Sequence, residues 1–200
     1  MTDDLLAAAS AAADAAASPE EAMLGAMAVL HAGAGDRGAH LREGVLLPGQ
    51  TQFFVAGSFL ATPDGRFLML VGNTGFPPEQ RRLCVPIDGG DPGRVIASGA
   101  PLLIADTRSH AGFRQYLKTA RMGSAAYVPL LREGRVFGLI IVAALAGGTL
   151  GQADLDVLTA LAPRLAARWD ALGGPAWVGE EYRHAVETGQ AFFAAREGTA

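Results

Sequence analysis

The chain has 200 residues, of which 50% are hydrophobic and 18% are charged, and its formal net charge is −4. This length is enough for one sizeable core, so we expect one domain with appended segments. An acidic chain without a basic stripe argues against nucleic acid as a direct partner. No apolar run approaches the roughly 18 residues of a membrane span, and the alanine-rich start lacks the basic region of a signal peptide. We therefore expect a cytoplasmic protein that makes no membrane contact.

The first 49 residues should form a helical appendage. The alanine-rich start has high helix propensity but little surface to bury, so a helix there should be weakly held. Ser18 is typical of an N-cap, with Pro19 at the first helical position and Glu21 completing a capping box. Apolar residues then recur at helical spacing before two glycines end the helix. These residues are Met23, Met27, Leu30, Gly33 and Gly35.

Residues 53–72 read as a hairpin whose two strands flank a Thr-Pro-Asp-Gly turn at 62–65. Proline presets φ, the aspartate side chain can bond its own backbone, and glycine tolerates positive φ. Residues 73–78 follow, where two prolines prevent a continued strand or helix. An irregular loop is therefore expected at the end of the second strand.

Residues 83–99 predict a short strand at 83–87 and a helix that starts at Pro92, with Asp91 as N-cap. The strand contains Cys84, the single cysteine of the chain. One cysteine cannot form an internal disulfide, and its neighbours are apolar, so a buried and unreactive thiol is expected. Glycines before the helix leave N–H groups that could attract an anion, but Asp88 and Asp91 place negative charge there. These two carboxylates lack the further oxygen ligands of a metal site, and no metal is predicted.

Residues 106–113 form a polar loop between a strand at 102–104 and a helix from about His110 to Arg121. An aspartate, a serine and a histidine lie close in sequence here. Adjacent Ser109 and His110 rarely face each other, which disfavours a hydrolytic triad, and one histidine is weak support for a haem ligand. Capping by Asp106 or Ser109 and contact with a small ligand both remain open.

Two apolar runs at 125–131 and 136–144 flank a polar turn and predict a second hairpin. The later run is apolar at almost every position, so both of its faces must be covered and it belongs in the middle of a sheet. Residues 149–172 then predict a helix with a capping box between Thr149 and Gln152 and a kink at Pro163. Its apolar stripe is Leu155, Leu158, Leu161, Leu165, Trp169 and Leu172.

Residues 173–200 predict one C-terminal helix, which starts after Gly173-Gly174-Pro175. Its apolar positions are Val178, Tyr182, Val186 and Phe193. This stripe and the Met23, Met27 and Leu30 stripe exceed what one small sheet can cover. A homodimer built on the N- and C-terminal helices is therefore expected.

The strand Ala126–Leu130, a glycine turn and the strand Val136–Val142, followed by a polar gap and a helix, resemble the C-terminal half of a GAF domain. The helix, glycine turn, short strand and aspartate of residues 92–106 extend the resemblance, which covers residues 50–172. It implies an α+β fold with a central, mostly antiparallel sheet of five to six strands. Helices should cover one face of the sheet, and a loop and helix lid should cover the other.

The resemblance implies a ligand cavity, which we place between the hairpin at 123–144 and the loops at 73–78, 88–93 and 106–113. The apolar hairpin needs cover on both faces, while the helix after it can cover only one. Loops pack less completely than helices, so a cavity should remain beneath them. The candidate ligand-binding residues are Phe59, Asn73, Thr74, Asp91, Asp106, Arg108, His110, Phe113 and Tyr127.

The expected function is non-catalytic sensing of a small molecule by a regulatory protein that acts through a partner protein in trans. The alternative is a ligand-free dimerisation or interaction module. A remote alternative resembles the family's free methionine sulfoxide reductases, which use paired cysteines; Cys84 alone leaves no resolving thiol. Family members with a covalent bilin carry a cysteine where this chain has residues 109–111, so no bilin or other cofactor is expected. No match to the family's cyclic-nucleotide signature is present.

Overall fold

A computed structural model describes residues 2–110 and 121–194. Its helices and strands alternate in blocks along the chain, and three short 3-10 helices lie between them. The elements are α1 (Thr2–Asp14), α2 (Pro19–Gly33), β1 (Phe54–Ala61), β2 (Phe67–Thr74), β3 (Arg82–Pro86), α3 (Gly90–Ser98), β4 (Leu102–Ile104), β5 (Ser124–Arg132), β6 (Arg135–Ala144), α4 (Gln152–Ala171), α5 (Gly174–Glu187) and β7 (Ala191–Phe193). Across the part of the chain described, no helix is both long enough and apolar enough to cross a bilayer.

The strands form one sheet in the order β4-β5-β6-β1-β2-β3-β7. Every neighbouring pair is antiparallel except β3 and β7, which run parallel. The expected α+β class with a mostly antiparallel sheet is confirmed, with seven strands in place of five to six. Strand β6 pairs with β5 on one side and β1 on the other, as its continuous apolar sequence predicts.

The C-terminal segment departs from the expected single helix. Helix α5 ends at Glu187, and Gly189 then adopts a φ of 71° that reverses the chain. Residues 191–193 join the sheet beside β3 as its seventh strand. Phe193 lies seven residues after Val186, a spacing that suits a helix, but the glycine between them ends the helix first.

Helices α2 and α4 cover one face of the sheet, and α1 packs on the outer side of these two helices. The α2 residues Met23, Met27 and Leu30 are fully buried inside the chain itself. The expectation that these three need a second copy to cover them is therefore wrong. Buried Ala9 and Ala13 hold α1 against this layer, so the small alanine side chains provide close contact between helices rather than a loosely held end.

A bulge in β2 lets α2 lie directly on the sheet. The pairing of β1 with β2 shifts between Gly57 and Phe59, so one residue of β1 faces two of β2. At Gly72 an added Cβ would lie 2.6 Å from the carbonyl carbon of Met23. Only glycine fits this point of contact between the α2 backbone and the sheet.

The cap of α2 is confirmed, since the Ser18 hydroxyl accepts a hydrogen bond from the backbone N–H of Glu21 at 3.2 Å. Two other predicted caps are wrong. Helix α3 starts after Gly89, so Asp91 lies inside the first turn and its side chain faces neighbouring residues instead of the helix end. Helix α4 starts at Gln152, and the Thr149 hydroxyl instead donates to the carbonyl oxygen of Ala146 at 2.7 Å.

Arg82, a buried arginine of β3, makes hydrogen bonds to both α2 and α5. Arg82 is 1% exposed. Its Nη2 donates to Glu20 Oε1 of α2 at 2.6 Å, and its Nε donates to Glu181 Oε1 of α5 at 2.7 Å. The Arg82 side chain therefore connects the N-terminal helices, the sheet and the C-terminal helix through charge-assisted hydrogen bonds.

Candidate functional site

The sheet face opposite α1, α2 and α4 carries a second apolar cluster, which we call the loop-side core. Helix α3 and the segment around Phe76 lie on this face. Its buried members come from strands β1 to β6, from α3 and from the start of the segment that leads into β5. They are Val55, Phe59, Leu68, Leu70, Leu83, Val85, Val95, Ile104, Met122, Ala125, Tyr127, Leu139, Ile141 and Ala143.

Two of the candidate ligand-binding residues, Phe59 and Tyr127, belong to this loop-side core. Phe59 meets Phe76 edge to face, with ring centroids 6.3 Å apart. Tyr127 is 4% exposed and pairs with Leu102 of β4 and Ile141 of β6. Tyr127 is thus a core residue as well as a candidate ligand contact, and truncating it would remove core contacts.

The most unusual polar group on this side of the sheet is the carboxylate of Asp91, in the first turn of α3. The residue is 1% exposed. Its Oδ1 lies 2.9 Å from Nε2 of His110 and 3.2 Å from Nη1 of Arg94, and both nitrogens can donate to it. Its Oδ2 is buried and has no hydrogen-bond partner. A carboxylate oxygen without a donor is rare in a protein interior and marks a place that can accept one.

His110 and Arg94 reach the surface from this buried carboxylate. The His110 side chain is 24% exposed and the Arg94 side chain 58% exposed. Arg94 Nη1 and His110 Nε2 lie 3.3 Å apart, so both sit over the same carboxylate oxygen. The group formed by Asp91, Arg94 and His110, which we call the Asp91 cluster, combines a buried acceptor with two solvent-facing donors.

Asp106 and Arg108 form a second polar pair at the turn after β4. The Arg108 side chain donates to both carboxylate oxygens of Asp106, at 2.7 to 3.1 Å. These hydrogen bonds hold the pKa of Asp106 below its usual value and raise the pKa of Arg108. Arg108 also donates to the carbonyl oxygen of Gly44 at 2.7 Å. Both charges are thus used within the chain, where they fasten the turn to the segment before β1.

The remaining predicted site residues divide between the two faces. Asn73 pairs with Gly57 on the side of the loop-side core, whereas Thr74 pairs with Ala56, a member of the helix-covered core. Thr74 therefore does not face the expected cavity, because neighbouring strand residues point to opposite faces. Phe113 lies outside the described residues.

The structure adds Arg94 and Phe76 to the residues expected from sequence. Arg94 follows Asp91 by three positions, a spacing that places two side chains together on a helix surface, so this signal was present in the sequence. Phe76 had no such signal. It lies against Gly57, where an added Cβ would be 3.0 Å from its ring.

Cys84 is buried, as expected, and it belongs to the core on the helix-covered face. Burial raises the pKa of its thiol to about 12, with a smaller contribution from Asp64. A thiol with this pKa stays protonated at neutral pH and is a poor nucleophile. Over residues 2–110 and 121–194, no three His, Cys, Asp or Glu side chains are grouped to hold a metal ion.

The family model of the GAF domain matches residues 49–169, more than half of the chain. The chain belongs to the GAF domain family. The matched span contains the six antiparallel strands, α3 and the Asp91 cluster. The search of curated proteins gave no match.

Solved structures support the same fold. The GAF domain of an Acinetobacter phosphoenolpyruvate-protein phosphotransferase superposes with a TM-score of 0.68 at 14% identity, over 86% of this chain and 93% of that one. The corresponding GAF domain from Coxiella burnetii gives 0.67 at 18% identity, over 94% and 96%. A free methionine-R-sulfoxide reductase from Neisseria meningitidis, solved with its substrate, gives 0.68 at 18% identity, over 87% and 91%. At these identities the likeness extends to the fold, which hosts both enzymes and domains named only as GAF.

Proposed function

We propose that this GAF protein is a non-catalytic sensor of a small molecule, and that it acts through a partner protein in trans. The observation that carries the proposal is the buried, unpartnered Oδ2 of Asp91, next to the surface-facing His110 and Arg94. A ligand that donates a hydrogen bond to Oδ2 would satisfy this buried carboxylate oxygen, which has no partner among the described residues.

The chemistry of the site favours binding over catalysis. A thiol-based reduction needs a reactive cysteine, and Cys84 is buried on the other face of the sheet with a raised pKa. His110 is held over Asp91, and no serine, threonine or cysteine nucleophile is bonded to it among the described residues. These features support a non-catalytic sensor over a reductase-like enzyme.

A thermal-shift screen of small metabolites tests this proposal, with the wild type compared to Asp91→Asn and His110→Ala. The expected result is a compound that raises the midpoint of the wild type and has a much weaker effect on both variants. Asp88→Asn is the matched control, because Asp88 is exposed and lies three residues away. A compound that stabilises all four proteins equally would place its binding elsewhere. A screen without any stabilising compound would remove the sensing proposal.

The second candidate is a ligand-free dimerisation or interaction module. It is favoured by two apolar residues near the C-terminus, Val186 and Phe193, which are 46% and 45% exposed. A second copy that covers them would give the expected homodimer a place on the C-terminal segment. Sedimentation analysis of the wild type at micromolar concentrations tests this: a dimer that Val186→Asp disrupts supports the module, and a concentration-independent monomer removes it.

A further inference from the structure

A cleft of about 210 Å³ lies on the helix-covered side of the sheet, between α4, α5 and the ends of the two hairpins. Its lining is mainly apolar and includes Leu60, Phe137, Pro175 and Val178. Arg132, whose side chain is 43% exposed, also lines it. The cleft contains no residue of the Asp91 cluster, because the sheet lies between them.

Trp169 forms the floor of this cleft and carries an unsatisfied donor. Its ring stacks on Phe137 with centroids 4.7 Å apart. The residue is 2% exposed, and its Nε1–H is buried without an acceptor. Buried tryptophan N–H groups usually find a hydrogen-bond partner, so an orphan beside a cleft indicates a position for an acceptor atom.

The first turn of α5 covers the indole nitrogen. An added Cβ at Gly174 would lie 2.6 Å from Nε1, so glycine is required there. Gly173 precedes it with a φ of 81°, and α5 has neither a side-chain cap nor an acidic residue in its first turn. Two consecutive glycines give this turn the backbone freedom to move away from the indole nitrogen.

The charges around the cleft single out Arg132 as the anion-binding group. Its Nη1 is 3.4 Å from Oδ1 of Asp170, and both side chains are about half exposed, so this ion pair is weak and exchangeable. Asp64 bonds to the hydroxyl of Tyr182 at 3.2 Å, and Glu133 is exposed on the hairpin turn. Neither Asp64 nor Glu133 lines the cleft, so Arg132 is the charged residue that an anion in it would meet.

We propose that the first turn of α5 moves to expose Trp169 Nε1–H, and that the cleft then binds a small carboxylic acid with one planar ring. The ring would contact Pro175 and Val178, one carboxylate oxygen would accept from Trp169 Nε1–H, and the other would pair with Arg132. The cleft is smaller than the usual pocket for a drug-sized ligand, which suits a single ring. This site is independent of the sensing site on the other face of the sheet.

Sodium benzoate is the probe, and benzamide is its neutral isostere. The chain has two tryptophans, so Trp177→Phe assigns the Trp169 indole signal in a ¹H–¹⁵N spectrum. Millimolar benzoate should move the Trp169 signal in a saturable way, with benzamide weaker. Arg132→Gln should raise the dissociation constant of benzoate about tenfold, because it removes one charge-assisted hydrogen bond. Arg135→Gln makes the same charge change outside the cleft and should raise this constant much less.

Three results would overturn this site. They are an unchanged Trp169 signal at millimolar benzoate, equal binding of benzamide and benzoate, and equal loss of affinity in Arg132→Gln and Arg135→Gln. Arg132 and Arg135 are both exposed residues of the hairpin, so neither substitution should prevent folding.

Discussion

Among substitutions at the interface between the sheet and its flanking helices, Arg82→Met should lower the free energy of unfolding the most. The arginine is 1% exposed, while the side chains of its partners Glu20 and Glu181 are 26% and 19% exposed. Removing one member of a buried ion group costs about 3–5 kcal/mol, because the remaining charges lose their partner but stay desolvated. The partial exposure of both glutamates places the expected loss near the lower end, at about 3 kcal/mol.

Urea unfolding followed by circular dichroism measures this loss in the free energy of unfolding. Arg81→Met is the matched control. The Arg81 side chain is 63% exposed and its contact with Glu20 is long, at 3.4 Å, so this substitution should change the free energy of unfolding by less than about 0.5 kcal/mol. Combining Arg82→Met with Glu20→Gln and Glu181→Gln should recover more than half of the loss, because no uncompensated charge remains. If Arg82→Met does not fold, Arg82→Lys provides the measurement. A loss below about 1 kcal/mol in Arg82→Met would refute this reasoning.

Gly72→Ala should destabilise the fold by about 1–3 kcal/mol in the same assay, because the added Cβ would meet the Met23 backbone. Gly179→Ala is the control, since its added Cβ has its nearest contact at 3.8 Å, and it should be neutral or stabilising. Equal effects of the two substitutions would contradict the close approach at Gly72. Cys84 should react with a thiol reagent far more slowly in the folded protein than after unfolding, and equal rates would contradict its burial and raised pKa. The pKa of Asp106, followed by NMR, should lie below that of an unstructured peptide and rise in Arg108→Gln. Because its folded pKa is lowered, this carboxylate favours folding above its unfolded pKa, and that contribution is lost as pH falls through the folded pKa.

Local patterns predicted most of the sheet. Three patterns depend only on neighbours in sequence: the Pro-Asp-Gly turn, the apolar run of β6 and the capping residues of α2. The structure has the hairpin, the strand and the helix where these patterns predict them. Strand β7 was missed because three residues give too short a pattern to separate a strand from a helix. Its place beside β3 depends on a long-range pairing that local propensity does not report.

The candidate site was only partly accessible from sequence. The sequence indicates both Asp91 and His110 as candidates, but their contact joins residues 19 positions apart and depends on the fold. Asn73 and Thr74 were expected in an irregular loop, but they end β2, where Thr74 pairs with Ala56 and so faces the helix-covered core. Arg82 was missed altogether, since nothing in its neighbourhood marks an arginine that will be buried between two helices.

Native mass spectrometry of the purified full chain tests the central claim of small-molecule sensing most directly. Wild type and Asp88→Asn should each show an additional mass that disappears on denaturation, and Asp91→Asn should lack it, because the unpartnered Oδ2 of Asp91 is the proposed acceptor. A bound mass retained equally by Asp91→Asn would contradict the site. Absence of any bound mass in the wild type, also after incubation with cell-extract metabolites, would contradict sensing and leave the interaction module as the function of this chain.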